Sequence, residues 1–352
     1  MRVRQVSNGP LVPDDGPRAA RLLRRVRGIA LEIVVFGAVT VALPLLLVVA
    51  SIVDLVLWLA RRKPWIGVRL VAMLWWFLFG EIRALLTLLG IWVLTGGPLG
   101  RGSLRRRRWL YDLRVSWMRS HLGGVRALFG LRLEVTGLEL AGPEPALIMM
   151  RHASIIDNTL PDALVGHEHG VGLRFVIKRE LQVLPTIDIG GRWVPTVFVR
   201  RASADSAAEV AALRGLARDL GPGESILIYP EGTRSTPRKL ARAQQVIAER
   251  QPQIAPLANR LENILPPRLG GPLALLDEAQ GVDVVFCGHV GFDGFQFVSN
   301  IWAGGLVGTT IRVRFWRYPG DEVPAGEQQR IAWLYERWQA VDDWVGDQQR
   351  GE

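Results

Sequence analysis

A single cysteine, Cys287, stands among 352 residues. No internal disulfide can therefore staple the chain, and a reducing compartment suits it. No G-x-S-x-G occurs, which argues against a serine esterase built on a nucleophile elbow. Charge is absent from the 21 residues between Glu32 and Asp54, "IVVFGAVTVALPLLLVVASIV". At 1.5 Å per residue that run makes about 30 Å of helix, enough to cross a bilayer's hydrocarbon. It is too long for a signal peptide, and no small-residue cleavage site is evident. Acid is in deficit: Lys+Arg number 43 against 33 Asp+Glu, a net charge of +10 carried mostly by arginine. Such a balance suits anionic lipid, a phosphorylated substrate or nucleic acid.

A second apolar run, Leu70 to Gly80 and Ala84 to Leu94, is interrupted by Glu81 and Arg83. Residues two apart do not share a helix face, so these charges face a partner helix or water, or the segment lies in the membrane interface. The expectation is a basic segment at 1–28 and a membrane hairpin of two hydrophobic helices at 29–98, spanning or re-entrant. A basic juxtamembrane segment at 99–126 follows. Arginines 21, 24, 25 and 27 precede the hairpin, and 101 and 105 to 108 follow it. The positive-inside rule places both ends in the cytoplasm, although Arg61, Arg62 and Lys63 in the connection weaken that inference. Seven of 13 tryptophans fall before residue 120, with Trp58, Trp65, Trp109 and Trp117 near the ends of apolar runs. Amphipathic rings there would mark the headgroup level. The stretch "RGSLRRRRWLYDLRVSWMR" interleaves arginine with aromatics. Joined directly to a hairpin, it is expected to meet phospholipid headgroups rather than nucleic acid.

Beyond Leu128 the pattern changes. "LRLEVTG" (131–137) alternates with period two. "ALIMMR" (146–151), "LRFVIK" (173–178), "TVFVR" (196–200), "SILIY" (225–229) and "VDVVFCG" (282–288) are short apolar runs of the buried-strand kind. Helical segments fall between them at Ser206 to Leu220, Arg238 to Glu249 and Gly271 to Ala279. The expected fold class is α/β, a mixed, largely parallel sheet flanked by helices, at 127–320. "TIRVRFW" (310–316) is expected as an edge strand. Ile331, Leu334, Trp338, Val341 and Val345 then repeat at three–four spacing, so a C-terminal amphipathic helix at 321–352 should pack on the sheet or touch the membrane.

Two loops that follow strands carry the chemistry, and loops at strand C-termini are where open α/β sheets gather ligands. In "RHASIID" (151–157), His152 alone of the five histidines has an aspartate five positions later, Asp157. A carboxylate on one ring nitrogen fixes the tautomer and leaves the other nitrogen free to accept a proton. In "YPEGTRS" (229–235), proline and glycine force a tight turn, Glu231 can fix it, and Arg234 can hold phosphate bidentately. Lys178 and Arg200–Arg201 end two further strands. Cations at strand ends beside a histidine–aspartate pair point to a phosphate-bearing substrate near a general base.

Together these motifs resemble the 1-acylglycerol-3-phosphate acyltransferase family, the lysophosphatidic acid acyltransferases and their lysophospholipid relatives. His152 and Asp157 match its H-x4-D, and Tyr229 to Ser235 its F-P-E-G-T-R-S with tyrosine for phenylalanine. "KREL" (178–181) matches K-x-E-L, and "FVRR" (198–201) matches F-x-x-R with Arg201 at the arginine position. "ILPPRLGG" (264–271) is similar to the L-x-P-R/K-x-x-G of a subgroup with two N-terminal hydrophobic helices, including lysocardiolipin- and lysophosphatidylinositol-type enzymes. Pro195 and Arg200 depart from the usual glycine and acid around F-x-x-R. The resemblance implies the glycerolipid acyltransferase fold and direct acyl transfer from acyl-CoA or acyl-carrier protein to a lysophospholipid hydroxyl. His152 would be the base, Asp157 its orienter, and Arg234, Arg201 and Lys178 the phosphate ligands. Glu231, Gly232 and Thr233 would shape the pocket, with no metal or other cofactor, at a phospholipid membrane. Two rivals are an acylated Cys287 paired with His289, on one face of a strand, and a non-catalytic module binding anionic lipid, which would not need His152 and Asp157.

Overall fold

A computed structural model describes residues 17–100, 102–142, 145–199, 207–295 and 298–351, with positions 6 and 11. Two long helices open the chain, α1 (Arg18–Arg61) and α2 (Gly67–Leu94). Both are long and apolar enough to cross a membrane. They form an antiparallel pair whose turn is closed by Asp54, a buried residue of α1. One Asp54 carboxylate oxygen accepts the N–H of Gly67 at 2.9 Å and the other that of Val68 at 2.9 Å. The carboxylate thus caps the N-terminus of α2, where orphan N–H groups and the helix dipole favour an anion. The first charge after the apolar run is therefore a cap.

A third helix, α3 (Leu104–Phe129), runs through the arginine-rich stretch and crosses α2. Trp76 Nε1–H donates to the Ser120 carbonyl at 3.0 Å. A Cβ on Gly124 would stand 2.2 Å from that same indole nitrogen, so only glycine lets the helices approach this closely. Arg106 and Arg107 are buried in protein, contrary to the expectation of headgroup contact for the whole stretch. Arg106 donates to Thr95 Oγ1 at 2.8 Å and to the Gly97 carbonyl, tying α3 to the end of α2. Arg105 and Arg108 stay exposed.

Seven strands make one sheet: β1 (Arg132–Thr136), β2 (Ala146–Met150), β3 (Gly172–Lys178), β4 (Thr196–Val199), β5 (Glu224–Ile228), β6 (Asp283–Val290) and β7 (Thr310–Tyr318). Their order is β1-β7-β6-β2-β5-β3-β4, parallel throughout except where β7 runs antiparallel to β6. The sheet is mixed and mostly parallel, as expected. One placement differs: β7 lies between β1 and β6 instead of at the edge. Its alternation reflects a half-covered face, since Ile311, Val313 and Phe315 are buried while Arg312 and Arg314 point away.

Strand periodicity sorts the core into two layers. Leu147, Met149, Ile226, Ile228, Val284 and Phe286 pack under the helices Ala207–Ala217, Gly270–Glu278 and Glu327–Arg350. Ile148, Met150, Leu173, Leu227, Val285 and Val313 pack under α3, through Leu122, Val125 and Phe129. The C-terminal helix lies on the sheet through Ile331, Leu334, Trp338, Val341 and Val345, which answers the choice between sheet and membrane.

The hairpin does not leave this body. Pro64 and Ile66 at its turn pack on Gly304. Leu70 and Met73 join the core beneath α3. Glu81, one of the interrupting charges, is buried and accepts from Thr186 Oγ1 at 2.7 Å. At the start of α1, Arg24 and Arg25 both donate to the buried Asp188 carboxylate, at 2.9 Å each.

Candidate active site

The parallel strands β2, β5, β3 and β4 end on one edge of the sheet, and the motifs lie there. After Met150 the chain turns sharply: Ser154 Oγ accepts the N–H of Ile156 at 3.0 Å, folding residues 154–157 back. This turn gives the five-residue spacing its meaning. Asp157 returns beneath His152 and accepts the backbone N–H of Ala153 at 2.7 Å and of Ser154 at 2.8 Å. His152 Nδ1–H donates to Asp157 Oδ1 at 3.0 Å. The Asp157 side chain is closed to solvent, whereas that of His152 is 10% exposed. With Nδ1 committed, Nε2 carries the lone pair, and it meets no hydrogen-bonding group among the described residues.

A second histidine backs the pair. His289, inside β6, donates Nε2–H to the Arg151 carbonyl at 2.9 Å and lies 3.5 Å from Asp157 Oδ2. Burial alone would raise the Asp157 pKa. The hydrogen bonds and charges of His152 and His289 outweigh burial and hold the carboxyl well below its usual range. Sequence reasoning placed His289 beside Cys287 and missed its contact with Asp157. The signal was a histidine alternating with apolar residues on a buried strand, a position that demands a polar partner. Cys287 is fully buried, and burial together with the Asp157 charge pushes its thiol pKa well up, so it offers no thiolate nucleophile.

Tyr229 opens the second loop, its ring 4.6 Å from that of His152 between centroids. The Tyr229–Gly232 turn is closed by the Gly232 N–H on the Tyr229 carbonyl at 3.0 Å, with Gly232 at φ +64° in the left-handed region. Glu231 points inward and braces three segments. Its carboxylate accepts the His152 N–H at 2.5 Å and the Leu265 N–H at 3.0 Å, with Arg151 as a nearby charge. Burial outweighs these contacts and pushes its pKa up to about 8. Ser235 N–H donates to the His152 carbonyl at 2.8 Å, so the Tyr229–Ser235 loop is stitched to the histidine loop.

The structure thus brings together His152, Asp157, Glu231, Gly232, Thr233 and Arg234. Lys178 ends β3, two strand positions from β2, roughly 10 Å away at the usual strand spacing. Arg201 lies outside the described residues, as does Arg200. Two cations join from elsewhere. Lys239, in the first turn of the next helix, reaches Thr233 Oγ1 at 3.2 Å and the Arg234 carbonyl at 2.9 Å. Arg268, of the "LPPR" stretch, donates its backbone N–H to the Pro230 carbonyl at 2.9 Å. The described residues hold no group of three or more histidine, cysteine or acidic side chains arranged to bind a metal.

An acid-steered imidazole beside a glycine turn, at the ends of parallel strands, is an arrangement able to take a proton from a hydroxyl by general-base catalysis. Residues 132–258 match the acyltransferase family. The chain is 22% identical over 262 residues to lysocardiolipin acyltransferase 1 of Mus musculus, covering 72% of this chain and 68% of that protein. It is 24% identical over 300 residues to lysophosphatidylinositol acyltransferase 10 of Caenorhabditis elegans, covering 79% and 73% respectively. Among solved structures, the 1-acyl-sn-glycerophosphate (LPA) acyltransferase PlsC from Thermotoga maritima shares the fold. Its TM-score is 0.51 at 16% identity, over 80% of this chain and 98% of that one. Residues 132–258 thus form an acyltransferase domain, and the chain around it is similar to lysophospholipid acyltransferases.

Proposed function

We propose that this protein transfers an acyl group from acyl-CoA or acyl-carrier protein to the free hydroxyl of 1-acyl-glycerol-3-phosphate, forming phosphatidic acid. The observation that carries the reading is the Nδ1–Asp157 hydrogen bond of 3.0 Å, which turns the unprotonated Nε2 of His152 into a base. His152 takes the hydroxyl proton as the oxygen attacks the thioester carbonyl. The tetrahedral intermediate then collapses, the C–S bond breaks, and His152 returns the proton to the departing thiolate. Asp157 stabilises the transient imidazolium. Arg234, with Lys178 and Arg201, neutralises the acceptor phosphate, which no side chain here needs to attack. General-base help of this kind contributes about 10²–10⁴-fold.

A second reading keeps the chemistry and changes the headgroup. The relatives named for lysocardiolipin and lysophosphatidylinositol favour an acceptor larger than glycerol phosphate. Both readings put the reaction at a phospholipid membrane, on the cytoplasmic side. Because both ends of the hairpin are bound to the α/β body, the helices are read as entering one face of the bilayer and leaving by the same face.

The test is to give purified protein in lipid a panel of lysophospholipids with labelled acyl-CoA. Wild type should form phosphatidic acid or another diacyl product, and His152→Ala should lose at least about a hundredfold of turnover. Turnover untouched by that change would overturn the mechanism. Absence of transfer to any acceptor, with lipid binding retained, would favour the non-catalytic module.

A further inference from the structure

The "LPPR" stretch has no role in the chemistry above, yet it is built into the same loop cluster. Leu265 donates to Glu231 at 3.0 Å and accepts from Trp338 Nε1 at 2.9 Å. Arg268 N–H closes on the Pro230 carbonyl. Three hydrogen bonds therefore fix where the Arg268 side chain leaves the backbone, and it leaves across the anion-binding turn. A Cβ on Gly232 would lie 2.9 Å from Arg268 Cδ and 3.1 Å from its Nε. The missing side chain at 232 is the space that the Arg268 stem occupies. The guanidinium beyond it is exposed and has no carboxylate or hydrogen-bond acceptor among the described residues. Most other arginines anchored in this body are paired: Arg151 with Asp293, Arg174 with Glu224, Arg330 with Asp277. Arg268 is held in place without an anion of its own among the described residues, over Gly232, which lies two positions before Arg234, and the Lys239 ammonium reaches the same turn at the Arg234 carbonyl.

We infer that Arg268 is a phosphate-binding, specificity-determining residue. It presents a fork of N–H donors to a second anionic group, beyond the phosphate that Arg234 holds. A guanidinium grips a phosphate through two parallel hydrogen bonds, a geometry lysine cannot reproduce. Two substrates can bring that group: a lysolipid whose headgroup carries a dianionic or second phosphate, and the phosphorylated carrier of the thioester donor. The inference rests on the acyl-transfer reading and extends it to what the site selects.

Arg268→Gln and Arg268→Lys should be compared with wild type and with Arg250→Gln, an exposed charge at the end of a surface helix, as control. KM is measured for lysophosphatidic acid at saturating acyl-CoA, and for acyl-CoA at saturating acceptor. Equilibrium binding of each is measured separately. Arg268→Gln should weaken one substrate by about tenfold in KM and Kd with kcat nearly unchanged, Arg268→Lys should lie between, and the control should match wild type. An effect confined to the acceptor, and smaller for zwitterionic lysophosphatidylcholine, assigns the group to the headgroup. An effect confined to acyl-CoA assigns it to the donor. Unchanged KM and Kd for both substrates in Arg268→Gln overturns the inference while leaving the His152 mechanism standing. An equal loss in Arg250→Gln also overturns it, because the effect would then be diffuse charge. If wild type transfers no acyl group, the acyl-transfer reading fails, and the binding measurements still decide whether Arg268 takes phosphate.

Discussion

Glu231 is where function and stability meet in one side chain. Its carboxylate is sealed from water, holds the backbone of His152 and carries a pKa of about 8. The ordinary glutamate value is 4.5, so the folded protein binds this proton more tightly than the unfolded chain does. The sign follows: the stabilising contribution is complete at low pH and is lost as pH rises from about 4.5 through about 8. Thermal melts of wild type across that interval should show the midpoint falling with pH, and Glu231→Gln, which cannot titrate, should flatten the decline. A variant whose slope matched wild type would show that the carboxyl ionises freely inside the fold. Asp157 behaves oppositely. Held below the usual carboxylate range by its two histidines, it stays ionised across that whole interval and adds nothing to the slope.

Among the elements, α2 depends on a cap borrowed from its neighbour. Removing the Asp54 side chain leaves the N–H groups of Ile66, Gly67 and Val68 without their acceptor in a buried turn. Asp54→Ala should cost about 1–3 kcal/mol, read as a lower unfolding midpoint and faster proteolysis between residues 61 and 66. Unchanged melting would mean that other groups satisfy the turn. The sequence announced this element and most of the strands, because buried parallel strands are uninterrupted apolar runs and amphipathic helices repeat every three to four residues. It also offered the His152–Asp157 pair, through their position after a strand and the match to a family motif, although the turn that folds Asp157 back was seen only in the structure. What it hid was pairing across the fold. Glu81 looked like a break in an apolar helix until Thr186 supplied its partner. Arg106 and Arg107 looked like lipid ligands because composition cannot say which side of a helix faces protein. β7 looked like an edge because arginines alternating along a strand mark one wet face, whatever lies beside it. His289 was silent for a similar reason: it serves a residue 132 positions away.

For the whole molecule, the hairpin's position sets its relation to the bilayer. α2 touches the α/β body from its first residues to Leu88, beside Gly190. α1 turns a long row of exposed aliphatic side chains outward, Val34, Val41, Leu45, Val48 and Ile52 among them. In the one-sided topology proposed above, a pair of helices pinned to the α/β body keeps its turn on the same side of the membrane as that body. In sealed vesicles an impermeant maleimide should label Arg61→Cys, at the turn, from the same side as Gln349→Cys, on the C-terminal helix. The native Cys287 is buried and contributes no background. Labelling of Arg61→Cys only after permeabilisation would establish a true crossing and undo the one-sided topology.

The clasp of Arg24 and Arg25 on Asp188 carries a practical consequence. Trimming the chain back to a water-soluble fragment that begins after the hydrophobic helices would strand a carboxylate inside the fold and strip the partners of Leu110, Leu122 and His121. The anchor is not a detachable handle. Purification has to keep it, and detergent has to cover it, if the catalytic loops are to be recovered in working order.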